Sequence, residues 1–361
     1  MNSTERTFKS RRSCDFHTHL RSPAEIGRKA FEMVVRLNTA HYRYVVVEPN
    51  TFLDPETPEH HIENASDIDR YRLQVENVPE RNTNCTILYL IKITPRTTPQ
   101  IVREALDVGA IGGKLYPDGV TNNSEGGVTD FHSHQLYDCF SVLEERNAIL
   151  QEHPEMPGEF SMRREWKYGE VILRHAGAFP GLRIFAEHLT DRRSLSLLEL
   201  PNVFGTITGH HLKLTLDDVL GCNENHCRPN AKEPEDRDEL QSLALSAYRK
   251  IISITDSAFH KWWRKHLLSC ACAGVFNPAE IALPWLVTFF DSRSSLHTFE
   301  KFASLNGCAA YGLKPPGNND IIEFVREPTN VREMYFADKG MSEAVIPFLA
   351  GETLTWRIQT G

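Results

Sequence analysis

The stretch Cys14-Asp15-Phe16-His17-Thr18-His19-Leu20-Arg21 (CDFHTHLR) places two histidines one residue apart and an arginine two residues further on. In a β-strand alternate side chains point to the same face, so His17 and His19 could bind one metal ion. In a helix the two side chains would lie about 200° apart around the axis and could not share an ion. A metal site therefore requires a strand here, whereas an isolated pair of this kind is also typical of two surface imidazoles.

Apolar, β-branched runs of strand length recur through most of the chain, separated by segments with helical spacing. The predicted strands are 14–20, 44–50, 85–93, 111–116, 148–153, 182–188, 203–208 and 251–256. The predicted helices between them include 24–38, 98–109, 133–147 and 164–179. Eight strands that alternate with helices predict an α/β fold of the (β/α)8 TIM barrel type.

We expect a single domain over residues 1–361, with a barrel core over about 14–277 and a short C-terminal extension over about 278–361. The pattern of the extension predicts helices over 281–292 and 298–307, followed by strands over 320–327 and 343–358. No Pro/Gly/Ser-rich linker divides the chain, and no internal repeat occurs at a solenoid period.

The composition is that of a soluble globular protein, with 361 residues of which 40% are hydrophobic and 24% are charged. A net charge of -8 argues against nucleic acid as the main partner. The N-terminus lacks the apolar segment of a secretory signal, and no apolar run reaches the ~18 residues of a membrane span. The eight cysteines form no C-x-x-C pair, so we expect reduced thiols in a cytoplasmic protein that does not contact membranes.

Ionisable side chains occur where the predicted strands end, which is where barrels of this kind carry their chemistry. They are His17, His19, Lys114, His153, His188 and Asp256. Taken singly, each histidine would also suit a hydrogen-bonded core position. Six such groups at one rim are costly to bury without a shared partner, and four imidazoles with a carboxylate suit zinc or a similar divalent ion.

Lys114 is the unusual member of this set, because an ammonium group repels nearby metal ions. Metal ions a few ångströms away would favour its neutral amine. A neutral amine can take up carbon dioxide as a carbamate, whose two oxygens could bridge two ions. The pattern therefore predicts a pair of metal ions at this rim.

A second group of possible ligands lies further along the chain, in Cys222, His226 and Cys227 with His210 and His211 upstream. Thiolate and imidazole ligands are typical of structural zinc sites. No second cysteine pair completes the pattern, and buried or loop thiols are the alternative interpretation.

Seven motifs occur in a fixed order between about residues 14 and 356: DFHTHLR, EPNT, GGKLYPDGVTNNSEGGVTD, RPNAKEPEDRDEL, TDSAFH, CACAGVFN and PFLAGETLTW. Together they resemble the dihydroorotases of the amidohydrolase superfamily, in their stand-alone bacterial and fungal type. The resemblance covers nearly the whole chain, and the set of motifs is far more specific than the histidine pair alone.

The resemblance implies a binuclear zinc enzyme that interconverts N-carbamoyl-L-aspartate and L-dihydroorotate in de novo pyrimidine (UMP) biosynthesis. His17, His19 and Asp256 would bind one zinc ion. His153 and His188 would bind the second, and carboxylated Lys114 (N6-carboxylysine) would bridge both. A hydroxide between the ions would attack the ring amide carbonyl, and Asp256 would act as the catalytic proton carrier to the leaving nitrogen.

The resemblance also assigns the substrate contacts, which are Arg21, Asn50, Thr121, Arg228, His260 and Ala273. Arg21, Asn50 and His260 would bind the substrate carboxylate, for which a guanidinium fork is well shaped. Thr121 would reach the substrate from a mobile loop over 120–126. Family members are often homodimers, and we expect the same here.

Three motifs depart from the family pattern. Pro154 follows His153 where a glycine is usual, and Gln151 and Glu152 stand before it in place of apolar residues. Glu48 replaces an apolar residue before Pro49, and Phe259 replaces the proline before His260. None of these changes removes a predicted ligand.

Two alternative functions stay open. Another cyclic amidohydrolase of the dihydropyrimidinase or hydantoinase type would keep the metals but act on a ring without a carboxylate, and would leave Arg21 unpaired. A metal-free, inactive homologue would serve only in assembly, although retention of all the ligand types weighs against it.

Overall fold

Eight parallel strands, most of them followed by a helix, form the main sheet of the protein. The computed structural model describes residues 6–266, 272–337, 340 and 343–359. After a short N-terminal strand, β1 (Thr7–Arg11), the strands of this sheet are β2 (Ser13–His19), β3 (Tyr42–Val47), β4 (Thr86–Ile93), β5 (Ala110–Leu115), β6 (Ile149–Glu152), β7 (Arg183–Ala186), β8 (Val203–Thr208) and β9 (Ile251–Ile254). Each predicted strand of the barrel has a counterpart among β2 to β9.

A ninth short strand, β10 (Ser257–Ala258), closes the barrel. The strands from β2 to β9 pair with their neighbours in chain order, and β10 then pairs in parallel with β2, with Ala258 opposite His19. Because β10 follows β9 after only two residues, the two form one interrupted eighth strand. The TIM barrel fold predicted from the sequence is confirmed, and Asp256 lies at the interruption.

Helices cover the outside of the barrel. Because the strands are thus buried on both faces, their residues are mostly apolar. The helices are α1 (Pro23–Ile26), α2 (Arg28–Thr39), α3 (Ala65–Glu76), α4 (Pro99–Asp107), α5 (His134–Glu145), α6 (Arg164–Ala178), α7 (Leu216–Val219), α8 (Pro234–Ser246) and α9 (Trp262–Lys265). A 3-10 helix (Arg192–Glu199) takes the place of an α-helix between β7 and β8. Within the described residues, no helix is both long and apolar enough to span a membrane.

Local signals explain where several helices begin. The hydroxyls of Thr98 and Ser133 accept hydrogen bonds from backbone N–H groups in the first turns of α4 and α5. The helix predicted over 24–38 is instead two helices, α1 and α2. Gly27 separates them with φ 86°, a left-handed conformation that ends one helix before the next begins.

The part of the C-terminal extension from Lys301 to Tyr311 closes the end of the barrel opposite the functional residues. The extension contains α10 (Ala279–Ser292), α11 (Leu296–Glu300), a π-helical segment (Lys301–Leu305) and α12 (Asn306–Tyr311). The ring of Tyr311 stacks on that of Phe16 inside the barrel, with ring centroids 4.5 Å apart. A Cβ atom on Gly307 would lie 2.1 Å from the Phe16 ring, so this close packing requires glycine.

The last part of the chain differs from its prediction. The strand predicted over 320–327 is present as β11 (Ile321–Val325), which pairs with β1 and β16. The single strand predicted over 343–358 is wrong, because the chain there forms three separate strands of two residues each. With the short strands before them, these are β12 (Thr329–Asn330), β13 (Tyr335–Phe336), β14 (Ala344–Val345), β15 (Thr353–Leu354) and β16 (Arg357–Ile358). Pro347 lacks a backbone N–H for a ladder, and Gly351 has φ 75°, so turns replace a continuous strand.

Candidate metal centre and substrate pocket

The six predicted metal ligands meet at the C-terminal mouth of the barrel. His17 and His19 lie on β2, Lys114 on β5, and Asp256 between β9 and β10. His153 directly follows the last residue of β6, and His188 lies two residues beyond the end of β7. All six are buried, with at most 8% of their surface exposed. The barrel therefore brings together side chains that are up to 239 positions apart.

His17 and His19 both contact the carboxylate of Asp256. Oδ1 of Asp256 lies 3.0 Å from Nε2 of His19 and 3.4 Å from Nε2 of His17. Because His17 and His19 are alternate residues of one strand, both rings project into the mouth, as the sequence predicted. Both imidazoles therefore lie within reach of the same carboxylate oxygen.

His153 and His188 complete the cluster on the other side of His17. The ring centroids of His17 and His188 are 5.2 Å apart, and those of His153 and His188 are 4.6 Å apart. Ligand atoms of His17, His188 and Asp256 all lie within 4.8 Å of one another. Among the described residues, Nδ1 of His188 has no hydrogen-bond partner although it is buried, so it is free to ligate an ion.

Lys114 lies beneath the histidines and is fully buried. Its Nζ atom is 3.0 Å from Oε2 of Glu48, which also accepts a hydrogen bond of 2.7 Å from the hydroxyl of Tyr116. Glu48 is thus the carboxylate that faces Lys114. The departure from the family pattern at this position places a negative charge next to the predicted bridging lysine.

Two further carboxylates orient the histidine rings. Oε2 of Glu187 is 2.5 Å from Nδ1 of His17, and the hydroxyl of Thr206 donates to the same oxygen. Oε2 of Glu155 is 2.9 Å from Nε2 of His153. These contacts fix which ring nitrogen carries the proton, leaving Nε2 of His17 and Nδ1 of His153 for an ion. Glu187 was not among the predicted residues, although its position next to His188 at a strand end is a signal that the sequence offers.

Burial sets the protonation of the cluster. Desolvation, with a smaller effect of Lys114, lowers the pKa of His17 well below its usual value, and burial lowers the pKa of His19 to about 3. Both rings are therefore neutral and carry a lone pair for a metal ion. Burial raises the pKa of Asp256 to about 7, although Lys114, His153 and Arg21 act in the opposite direction.

The backbone at three of the candidate residues is left-handed. The φ angles are 60° for Arg21, 38° for His188 and 46° for Asp256. L-residues rarely adopt this conformation. At Asp256 it interrupts the eighth strand, and the backbone N–H of Asp256 then donates to the carbonyl of His17, at 2.9 Å.

A pocket with an empty volume of about 360 Å³ opens above the ligand cluster. Five of the six predicted substrate contacts line it: Arg21, Asn50, Thr121, Arg228 and Ala273. The sixth, His260, lies behind Arg21, with Nε2 at 3.2 Å from Nη2 of the arginine. Tyr116 and Asn122 also line the pocket and were not predicted.

The loop over 120–126 is held against the pocket by its own polar groups. Nδ2 of Asn122 donates to the carbonyl of Ala273 at 2.5 Å and lies 3.2 Å from Nε2 of His260. Nδ2 of Asn123 donates to the carbonyl of Asn50 at 3.0 Å, and Nζ of Lys92 donates to the carbonyl of Asn123 at 3.0 Å. The loop thus links the residues on either side of the pocket.

The remaining two departures from the family pattern leave their neighbours in the site. The backbone N–H of His153, just before Pro154, donates to the carbonyl of Leu115 at 3.0 Å. Phe259 is buried and packs edge-to-face on Phe276, with ring centroids 5.8 Å apart. His260 keeps its contact with Arg21.

Comparison with known proteins agrees with this geometry. No protein-family model matches the chain. The chain is 33% identical to a dihydroorotase from Teredinibacter turnerae over 354 residues, which cover 96% of each sequence. It is also similar to the crystal structure of a dihydroorotase from Campylobacter jejuni, with a TM-score of 0.87 and 31% identity over 100% of this chain and 99% of that one.

A second solved structure is similar to the same extent in three dimensions. It is a dihydroorotase from Saccharomyces cerevisiae in complex with 5-fluoroorotic acid, with a TM-score of 0.87, 25% identity, and coverage of 98% of this chain and 99% of that one. The likeness in sequence and in structure extends over essentially the full length of each protein. This chain belongs to the dihydroorotase family and is a metal-dependent cyclic amidohydrolase.

Proposed function

We propose that this chain interconverts N-carbamoyl-L-aspartate and L-dihydroorotate in pyrimidine synthesis, with two zinc ions at the mouth of the barrel. One observation carries the proposal. The nitrogen atoms of His17 and His19 converge on Oδ1 of Asp256, and Arg21 lines the same small pocket. A metal cluster and a carboxylate-binding arginine in one cavity suit an anionic cyclic amide.

The residues at the mouth fit two divalent ions. We assign His17, His19 and Asp256 to one ion, and His153 and His188 to the other. The separations of 3.0 and 3.4 Å from Oδ1 of Asp256 agree with ligands about 2.1 Å from a shared zinc ion. The buried, unpartnered Nδ1 of His188 and the neutral rings of His17 and His19 supply the required lone pairs.

Lys114 is the proposed bridge between the two ions, as N6-carboxylysine. In forming the carbamate, Nζ bonds to the carbon of carbon dioxide and loses a proton. Full burial and the histidines and Asp256 around it support this assignment for Lys114. Carboxylation would give the Lys114 side chain a negative charge. Glu48 would then lose its ion pair with Lys114 and keep only its hydrogen bond from Tyr116.

The ions would supply a Lewis acid for the ring carbonyl and an activated water. Asp256 is the proposed catalytic residue, because its carboxylate contacts both imidazoles of β2 and faces the pocket. It would take a proton from the attacking water and deliver it to the ring nitrogen that leaves. In the direction of ring closure it would accept the proton from that nitrogen.

Arg21, Asn50 and His260 are the proposed partners of the substrate carboxylate, with Thr121 and groups near Arg228 and Ala273 around the ring. Arg21 is 2% exposed; its Nη1 lies 3.4 Å from Oε1 of Glu25, and its Nε has no hydrogen-bond partner among the described residues. A buried guanidinium that keeps a free donor can bind a further anion. This supports a substrate with a carboxylate over an unsubstituted hydantoin or dihydropyrimidine.

A direct assay tests the substrate assignment. The purified protein is given L-dihydroorotate, N-carbamoyl-L-aspartate, dihydrouracil and hydantoin in parallel. We expect conversion of the first two and little conversion of the others, because only the first two carry the carboxylate that Arg21 binds. Turnover of dihydrouracil without turnover of dihydroorotate would assign the chain to the dihydropyrimidinase type.

Metal analysis tests the cofactor assignment and the alternative of an inactive homologue. We expect at least two zinc ions per chain after gentle purification, and a carbamate signal in the ¹³C NMR spectrum after growth with labelled bicarbonate. A metal-free protein with no turnover would support the inactive homologue. The homodimer and the cytoplasmic location stay predictions, to be checked by sedimentation and by fractionation of cells.

A further inference from the structure

A second cluster of possible metal ligands is buried next to the barrel mouth. His210 and His211 follow β8, and Cys227 lies in the loop after α7. All three are at most 2% exposed, and their ligand atoms lie within 4.8 Å of one another. Cys222 and His226, which the sequence placed with them, are partly exposed and lie outside the cluster.

His211 and Cys227 are already arranged as a ligand pair. Nε2 of His211 lies 3.4 Å from Sγ of Cys227. A nitrogen and a sulfur bound to one zinc ion at their usual bond lengths are about 3.6 Å apart at a tetrahedral angle. Nδ1 of His211 is 2.9 Å from the hydroxyl of Thr208, which is the outer hydrogen bond that a metal-bound histidine commonly makes.

His210 is the member that protein contacts leave unexplained. It is fully buried, and neither ring nitrogen has a hydrogen-bond partner in the described part of the chain. Its ring centroid is 4.4 Å from that of His211. A buried imidazole without partners is unfavourable, and this ring can turn toward Cys227 without breaking a hydrogen bond.

We propose that His210, His211 and Cys227 bind a third metal ion, of the thiophilic class that includes zinc and copper(I). Sulfur and imidazole ligands select such ions over magnesium or calcium. Binding replaces the proton of the Cys227 thiol, which leaves to solvent, with a metal–sulfur bond. No oxidation or reduction of the protein is involved.

This site is distinct from the one at the mouth and has a structural consequence for it. None of its three residues lines the substrate pocket, whereas Arg228, the residue after Cys227, does. Arg228 also donates through Nη1 to the carbonyl of Val120, at 3.2 Å. An ion held by Cys227 and two residues that follow β8 would fix the loop that presents Arg228 to the pocket.

A metal-free arrangement is the competing interpretation. Nε2 of His211 is 3.1 Å from the carbonyl of Pro229 and could donate a proton to it. In that case His211 would be satisfied as a structural residue and could not ligate through Nε2. His210 would still lack a partner, and the experiment below separates the two arrangements.

Metal content and cobalt spectra of the intact protein test the proposal. The variants are Cys227→Val and His210→Gln, with Cys222→Ser as a matched control on a partly exposed cysteine of the same loop. We expect wild type and Cys222→Ser to hold one more zinc or copper ion per chain than either variant. Cobalt(II)-loaded wild type should show thiolate-to-cobalt absorption, which Cys227→Val loses and Cys222→Ser keeps. The proposed ligands at the mouth include no sulfur, so they cannot give this band.

X-ray absorption of the wild-type protein keeps the test decisive if the variants do not fold. We expect a sulfur scatterer at about 2.3 Å from a fraction of the bound metal. Equal metal content in wild type and Cys227→Val, or a metal environment of nitrogen and oxygen alone, would overturn the proposal. Either result would leave the assignment of the ions at the mouth unchanged.

Discussion

Most of the predicted metal ligands and substrate contacts line one pocket, but the two groups are held in different ways. His17 and His19 lie on a strand that pairs on both sides, and Glu187 fixes the His17 ring. The substrate contacts instead come from connections between elements, where Asn122 joins His260 to Ala273. On the proposed function, the barrel would position the groups of the reaction, whereas loops that hold one another would select the substrate. Variants on the two sides should therefore fail differently.

The largest effect is expected on the metal side, for Asp256→Asn. An amide cannot carry the proton between water and the leaving nitrogen, so kcat should fall by about 10²- to 10⁴-fold. Stopped assays in both directions measure this, with circular dichroism to check the fold. Asp238→Asn, at an exposed position on α8, is the control and should keep full activity. Retention of more than a tenth of kcat by Asp256→Asn would remove Asp256 from the catalytic role.

On the substrate side, Arg21→Lys should mainly raise KM. Loss of the guanidinium fork costs about 1.5–3 kcal/mol, which corresponds to roughly 10- to 150-fold in kcat/KM. The zinc content should stay at the wild-type value, because Arg21 is not a proposed ligand. Arg28→Lys, at an exposed position on α2, is the matched control. A loss of zinc with unchanged KM would mean that Arg21 supports metal binding and not substrate binding.

Glu187→Gln should weaken metal binding, with a smaller effect than that of Asp256→Asn on kcat. Without the carboxylate the proton on Nδ1 of His17 is less firmly held, and metal affinity should fall by about 10- to 100-fold. Competition with a chelator, followed by metal analysis, measures this directly. Glu199→Gln changes an exposed glutamate and should have no effect. Unchanged metal retention in Glu187→Gln would show that the Nδ1 contact does not tune the site.

The smallest effect is expected for Asn122→Ala in the loop. Its amide contributes the contacts to Ala273 and His260, and their loss should cost about 0.5–1.5 kcal/mol, or roughly 2- to 13-fold in KM. Initial-rate kinetics with dihydroorotate measure the change, and Asn84→Ala on an exposed loop serves as the control. A large fall in kcat with constant KM would instead give Asn122 a part in the chemical step.

Much of the barrel could be predicted because its strands are buried on both faces. The three consecutive valines of β3 are an example, because a continuous apolar, β-branched run is typical of a strand that is buried on both faces. The interruption of the eighth strand was not visible, since it depends on the pairing of β10 with β2 far away in the sequence. The strand predicted over 343–358 was wrong because Pro347 and the turn at Gly351 divide this segment into short pieces.

The positions of the candidate ligands followed from a single rule, that strand ends carry the polar groups of a barrel. The rule does not say what surrounds them. The contact of Glu48 with Lys114 and that of Glu187 with His17 join residues from different strands, and each requires the register of the sheet. Cys222 and His226 were grouped with Cys227 by proximity in sequence, whereas the folded loop turns only Cys227 inward.

The left-handed backbone at Arg21, His188 and Asp256 has a consequence for engineering this protein. Such conformations cost about 1–3 kcal/mol each for ordinary residues, and glycine adopts them freely. A selection for heat resistance alone would therefore favour glycine at these positions and would discard the reaction while it raised the melting temperature. Thermotolerant variants that still work must gain their stability elsewhere, for instance in the helices around the barrel.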